Sequence, residues 1–130
     1  MKAALVTGAA RGIGLATTKL FLAEGWQVAM VDRDGDELAK ASEALSNVLP
    51  ICKDVSISAD VEALMAEVGA WADGLDALVN NAGVADFGPI EDTGFERWRR
   101  VMETNLDGVF HVDGLLSPYL LSQHYEIHLH

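Results

Sequence analysis

The apolar run Ala3-Ala4-Leu5-Val6 leads directly into Thr7-Gly8-Ala9-Ala10-Arg11-Gly12-Ile13-Gly14, and helical periodicity begins at once afterwards. Glycines at that junction permit a backbone open to few other residues, in which a strand turns tightly and re-enters as a helix with its first amides exposed. Gly8 suits the tight turn, Gly12 the close approach of another group to the backbone, and Gly14 close packing of the helix. Such a strand-turn-helix unit opens a βαβ crossover, which steers the chain toward a parallel sheet covered by helices.

The rest of the chain repeats that alternation. Strands are expected at residues 3–6, 27–31, 48–53 and 77–80, the first and last nearly all apolar, as strands buried on both faces are. Helices are expected at residues 13–24, 36–46 and 59–71; the last carries Val61, Leu64, Met65 and Val68 at three- and four-residue spacing. Asp34-Gly35-Asp36-Glu37 and Thr93-Gly94-Phe95-Glu96 each set a capping residue three positions before a Glu, which marks helix starts. The second opens a fourth helix through Trp98, Val101, Met102, Asn105, Val109 and Val112, ending before Ser117-Pro118. The last ten residues alternate in polarity, as a short strand or a loose tail would. The fold class is therefore α/β, a three-layer, Rossmann-like, doubly wound parallel sheet. Residues 1–113 form the expected half-domain and residues 114–130 a divergent tail.

With 130 residues the chain fits one domain. Its net charge of −11 repels nucleic-acid phosphates and anionic lipid, and no apolar stretch approaches the roughly 20 residues of a spanning helix. Neither nucleic acid nor a membrane is an expected partner. The apolar start is cut off by Thr7-Gly8 too soon for a signal-peptide core, so a cytoplasmic location is expected. Cys52, the single cysteine, forms no internal disulfide and is expected to be a small buried hydrophobe.

A glycine-rich turn in this setting offers helix amides and the positive end of a helix dipole to a pyrophosphate. The spacing is G-x-x-x-G-x-G, which departs from the general G-x-G-x-x-G fingerprint. The second strand then ends at Asp32, about 18 positions beyond Gly14 and close to the ~20 at which a carboxylate accepts the ribose hydroxyls of a dinucleotide. A carboxylate there repels a 2′-phosphate, which favours NAD over NADP. Arg33 follows directly and would pair with such a phosphate if it turned inward. As structural alternatives, Asp32 could be a turn or capping carboxylate.

Together, Thr7-Gly8-x-x-x-Gly12-x-Gly14, Asn80-Asn81-Ala82-Gly83 and Asn105-Leu106-Asp107-Gly108-Val109-Phe110 resemble the short-chain dehydrogenase/reductase family. The resemblance implies that Thr7, Gly8, Arg11, Gly12, Ile13 and Gly14 form the cofactor turn, with Asp32 and Arg33 at the adenosine ribose. It implies that Asp54 and Val55 lie against the adenine, and that Asn80, Asn81, Ala82 and Gly83 steady the sheet and pass the ribose. Asn105 matches the family's catalytic Asn, which bends its helix and fixes a water in a proton relay. Read without the resemblance, a buried Asn on an apolar helix face is equally a kink, and Asn-Asn-Ala-Gly an ordinary turn.

The resemblance ends near residue 112 and covers only the first part of a family member, so the fold is expected to be truncated after about four strands and four helices, with the fourth strand left as an edge. A family enzyme also needs a Ser and a Tyr-x-x-x-Lys, whose Lys makes the Tyr, with a free pKa near 10, a competent base. No lysine follows Asn105; Tyr119 is followed at that spacing by Gln123, and Ser117 lies too close to it. The favoured reading is an NAD-binding module without independent turnover. One rival is an active oxidoreductase completed by another chain, which added alcohols would reveal through turnover. A second rival is a non-enzymatic interaction protein, marked by a lack of NAD binding. An exposed strand edge or the fourth helix predicts a homo-oligomer. The terminal segment is a candidate to patch that edge or swap into a neighbour. His124, His128 and His130 suit a solvated strand face, and no metal site is expected.

Overall fold

The computed structural model describes residues 1–72, 74–82 and 120–128. The elements run β1 (Ala3–Thr7), α1 (Gly12–Ala23), β2 (Gln27–Asp32), α2 (Gly35–Glu43), β3 (Val48–Cys52), α3 (Ser58–Trp71), β4 (Leu75–Asn80) and β5 (Leu120–His128). Every pairing is parallel, in the order β3-β2-β1-β4-β5. The chain winds outward from β1 to β3, returns through α3 to β4 on the other side of β1, and so reverses its direction between β1 and β4. In open α/β sheets such a reversal opens a crevice outside the carboxyl ends of the strands.

Period-2 alternation sorts β1 onto two cores. Ala3 and Leu5 pack with Ala29, Val31 and Ile51 against α3, through Val61, Leu64, Met65 and Val68. Ala4 and Val6 join Val28, Met30, Ala77 and Val79 on the opposite face, beneath Leu15 and Phe21 of α1 and Leu38 of α2. The four apolar positions expected on α3 are all buried. Both faces of the central strands are thus covered, which is why residues 3–6 of β1 and 77–79 of β4 are unbroken apolar runs.

Local chemistry sets the boundaries. Asp34 accepts the Glu37 N–H at 3.2 Å and caps α2, as its spacing before Glu37 predicts. Asn47 adopts φ +59, and α2 stops at Glu43, short of the expected residue 46. At the end of α1, Gly25 has φ +86, its N–H reaches the Leu22 carbonyl at 3.1 Å and the Trp26 N–H reaches Phe21 at 3.0 Å. That double closure carries its apolar contact with it, Phe21 and Trp26 having ring centroids 4.8 Å apart. Pro50, which has no N–H to donate, is accommodated because β3 lies at the sheet's edge.

Two expectations are corrected. Cys52 is exposed: Ile51 takes the inward position of β3, so the next side chain points away from the core on an edge strand. β4 is no edge, because β5 pairs with it in the register Ala77↔Tyr125, Leu78↔Glu126, Val79↔Ile127 and Asn80↔His128. The terminal segment therefore patches the sheet within its own chain and supplies a fifth strand where about four were expected. The expected fourth helix, with Asn105, and also Gly83 and His130 lie outside the described residues.

Candidate functional site

The carboxyl ends of β1 and β4 are locked together by one hydroxyl. Thr7 Oγ1 donates to the Val79 carbonyl at 3.4 Å and accepts the N–H groups of Asn81 at 3.0 Å and Ala82 at 2.9 Å. Asn81 returns the link, its Nδ2 donating to the Gly8 carbonyl at 3.2 Å. Thr7 and Asn80 are both almost fully buried, so this junction is interior structure rather than a loose loop. Through these contacts Asn81 and Ala82 tie the end of β4 to the end of β1.

The glycines of the turn divide the work. Gly8 has φ +64, and a Cβ there would meet the Ala82 backbone at 3.0 Å. Gly14 lies still closer, its virtual Cβ falling 2.0 Å from the Gly8 carbonyl oxygen and 2.6 Å from Asn81 Nδ2. Gly12 has φ +57 and only open space around its virtual Cβ. It begins α1, whose first turn has no acidic side chain and whose N-cap, Arg11, makes no side-chain cap. No N-cap side chain therefore satisfies the first-turn amides, where the positive end of the helix dipole lies. Ile13, one residue on, is 65% exposed.

Asp32 ends β2 beside this turn. Its Oδ2 accepts the Ala10 N–H at 3.0 Å and its Oδ1 accepts the Asp34 N–H at 3.0 Å. The carboxylate thus ties the glycine turn to the loop after β2, and one lone-pair site remains on each oxygen. A second tie lies alongside, an ion pair between Arg11 and Asp34. The Glu37 N–H, and after it the Arg11 guanidinium, hold the Asp34 carboxyl below its ordinary value of 3.8.

A cavity of about 320 Å³ opens here. Gly8, Arg11, Asp32, Arg33, Asp54, Val55, Asn81 and Ala82 of the expected site all line it, joined by Val31, Asp34 and Lys53. Val55 is buried, while Asp54 Oδ1 accepts from the Ser56 N–H at 3.0 Å and the Ser56 hydroxyl at 2.7 Å, which folds the loop after β3 back on itself. Asp34 and Lys53 had no site signal in the sequence. Asp34 reads locally as a helix cap, and its pairing with a residue 23 positions earlier depends on the adjacency of β1 and β2. Among the described residues no helix is long and apolar enough to cross a membrane.

A family model described as short chain dehydrogenase matches residues 2–125. Among curated proteins, the chain is similar to galactitol 2-dehydrogenase from Agrobacterium fabrum, with 40% identity over 126 residues that cover 94% of this chain and 48% of that protein. Among solved structures it is similar to a 3-ketoacyl-(acyl-carrier-protein) reductase from Brucella melitensis complexed with NADH. That match has a TM-score of 0.86 and 32% identity, over 91% of this chain and 50% of the other. A short chain dehydrogenase/reductase from Burkholderia phymatum in complex with NAD gives a TM-score of 0.91 and 28% identity, over 98% and 48% of the two chains. The chain spans about half the length of the curated relatives it matches.

Proposed function

The chain belongs to the short-chain dehydrogenase/reductase family, and on that footing we propose that it is an NAD(H)-binding Rossmann module of an oxidoreductase acting on alcohol or carbonyl groups. The observation that carries this reading is the open N-terminus of α1 beside Asp32. Gly12 leaves free the space a Cβ would fill, and the first turn of α1 carries no acidic residue, which together fit a pyrophosphate.

Each residue then has a task. Thr7, Gly8 and Gly14 hold the turn in shape, Arg11, Gly12 and Ile13 present its amides to the phosphates, and Asp32 accepts the ribose hydroxyls on its remaining lone pairs. The same negative charge opposes a 2′-phosphate, so NAD is preferred over NADP. Val55 and Asp54 form the adenine wall and Arg33 flanks the ribose, and, by resemblance, the Asn80-Asn81-Ala82-Gly83 segment passes the ribose. Asn105, by resemblance, positions a water for proton transfer. A bound nicotinamide dinucleotide supplies the hydride acceptor or donor. Among these 130 residues no Tyr-x-x-x-Lys follows Asn105, and the proposal is confined to binding of the dinucleotide. A cytoplasmic location and self-association through the helix expected after Thr93 belong to the same reading.

Calorimetric titration of the folded chain with NAD, and then with NADP, tests it. Saturable binding that favours NAD is the expected result; no heat with either dinucleotide would sink the proposal.

A further inference from the structure

We propose that Asp34 is a cofactor-selecting residue: by holding the Arg11 guanidinium in an ion pair at the rim of the cleft, it withholds a cation that would otherwise pair with a 2′-phosphate. The inference rests on the reading that this cleft takes the adenosine ribose.

The geometry centres on Asp32. Its two carboxylate oxygens are held by the N–H groups of Ala10 and Asp34. Arg11 follows Ala10 directly, and the Arg11 and Asp34 side chains join across the same span, both lining the cavity. Arg11 is thus the cation that the glycine turn contributes beside the carboxylate that would read the ribose. A guanidinium matches a phosphate through paired N–H groups, and without an anionic partner it would attract a 2′-phosphate. Asp34 occupies it instead. To bind there, a 2′-phosphate would have to displace Asp34 and then sit near two carboxylates.

Asp34 divides its oxygens between two roles. Oδ1 caps α2 by accepting the Glu37 N–H, and Oδ2 takes Arg11. The pair is partly exposed, with side chains 62% and 42% accessible, so solvent screens it and a substitution should change selectivity by a modest factor. Asn and Ser both retain an N-capping oxygen while removing the charge, which separates selection from helix stability.

The experiment is a calorimetric titration of the full chain with NAD and NADP in five forms: wild type, Asp34→Asn, Asp34→Ser, Arg11→Gln and the double variant Asp34→Asn/Arg11→Gln. Asp34→Asn is expected to raise the ratio of NADP to NAD affinity about three- to tenfold, the effect of one partly screened contact to a charged group. Asp34→Ser should do the same, and the double variant should lose the gain. An unchanged ratio in Asp34→Asn and Asp34→Ser, with NAD still bound, overturns the inference and leaves the cofactor reading intact. A gain that persists in the double variant also overturns it, assigning the effect to the charge of Asp34 itself acting with Arg33 or Lys53. Absence of binding to either dinucleotide in every form overturns both readings.

Discussion

Gly14 sits directly beneath Gly8, so close that a Cβ on Gly14 would stand 2.0 Å from the Gly8 carbonyl oxygen. The contact seats α1 against the end of β1, and through Asn81 Nδ2 it reaches the end of β4 as well. Gly14→Ala must push α1 outward. The expected cost is about 1–3 kcal/mol, as for other overpacked interiors, together with weaker dinucleotide binding. Urea unfolding and NAD titration of the same sample measure the two effects.

Gly12→Ala should separate those effects. Nothing lies within 4 Å of its virtual Cβ, so the stability cost is only that of a non-glycine residue at φ +57, about 1–2 kcal/mol. The added methyl would occupy the space assigned to the pyrophosphate. NAD affinity should therefore fall by a larger free energy than folding stability does, and a stable variant with undiminished NAD affinity would remove Gly12 from the site.

Thr7→Val tests the hydroxyl that joins β1 to β4. Nearly all of its volume is kept, but the Asn81 and Ala82 N–H groups lose their acceptor and the Val79 carbonyl loses a donor. Unfolding free energy should drop by about 1–3 kcal/mol, and amide exchange at Asn81 and Ala82 should accelerate relative to the centre of β1. Unchanged exchange at those two amides would contradict the lock.

The Arg11–Asp34 pair makes a prediction for acid titration. Asp34 titrates below 3.8 in the folded chain, held down first by the Glu37 N–H and then by Arg11. A depressed folded value means that its contribution is fully present above the unfolded carboxylate range and is lost as pH falls through the lower, folded value. The carboxyl carbon resonance of Asp34 should show a midpoint below 3.8 that moves upward, without reaching the unfolded value, in Arg11→Gln. A midpoint unaffected by Arg11→Gln would show the pair to be absent in solution.

How much of this was legible depends on the range of the interaction. Neighbouring residues determined the strand-turn-helix entry at residues 7–14, the Asp34 cap and the buried faces of β1 and α3, because backbone preference and side-chain periodicity act over a few positions. Nine of the eleven cavity-lining residues lie in the glycine turn, at or just after the end of β2, or after β3, where the order of elements brings them to the carboxyl ends of the strands. Tertiary structure decided the rest. Asp32 shares its carboxylate between Ala10 and Asp34, and Arg11 reaches Asp34, only because β1 and β2 are neighbours. Thr7 meets Asn81 across 74 positions because the chain reverses its winding at β1 and places β4 on the other side. Cys52 points outward because β3 is an edge strand, and β4 is covered because β5 joins it. Local propensity is written in adjacent residues, but a partner for a carboxylate, a hydroxyl or a strand edge exists only once the order of strands in the sheet is set.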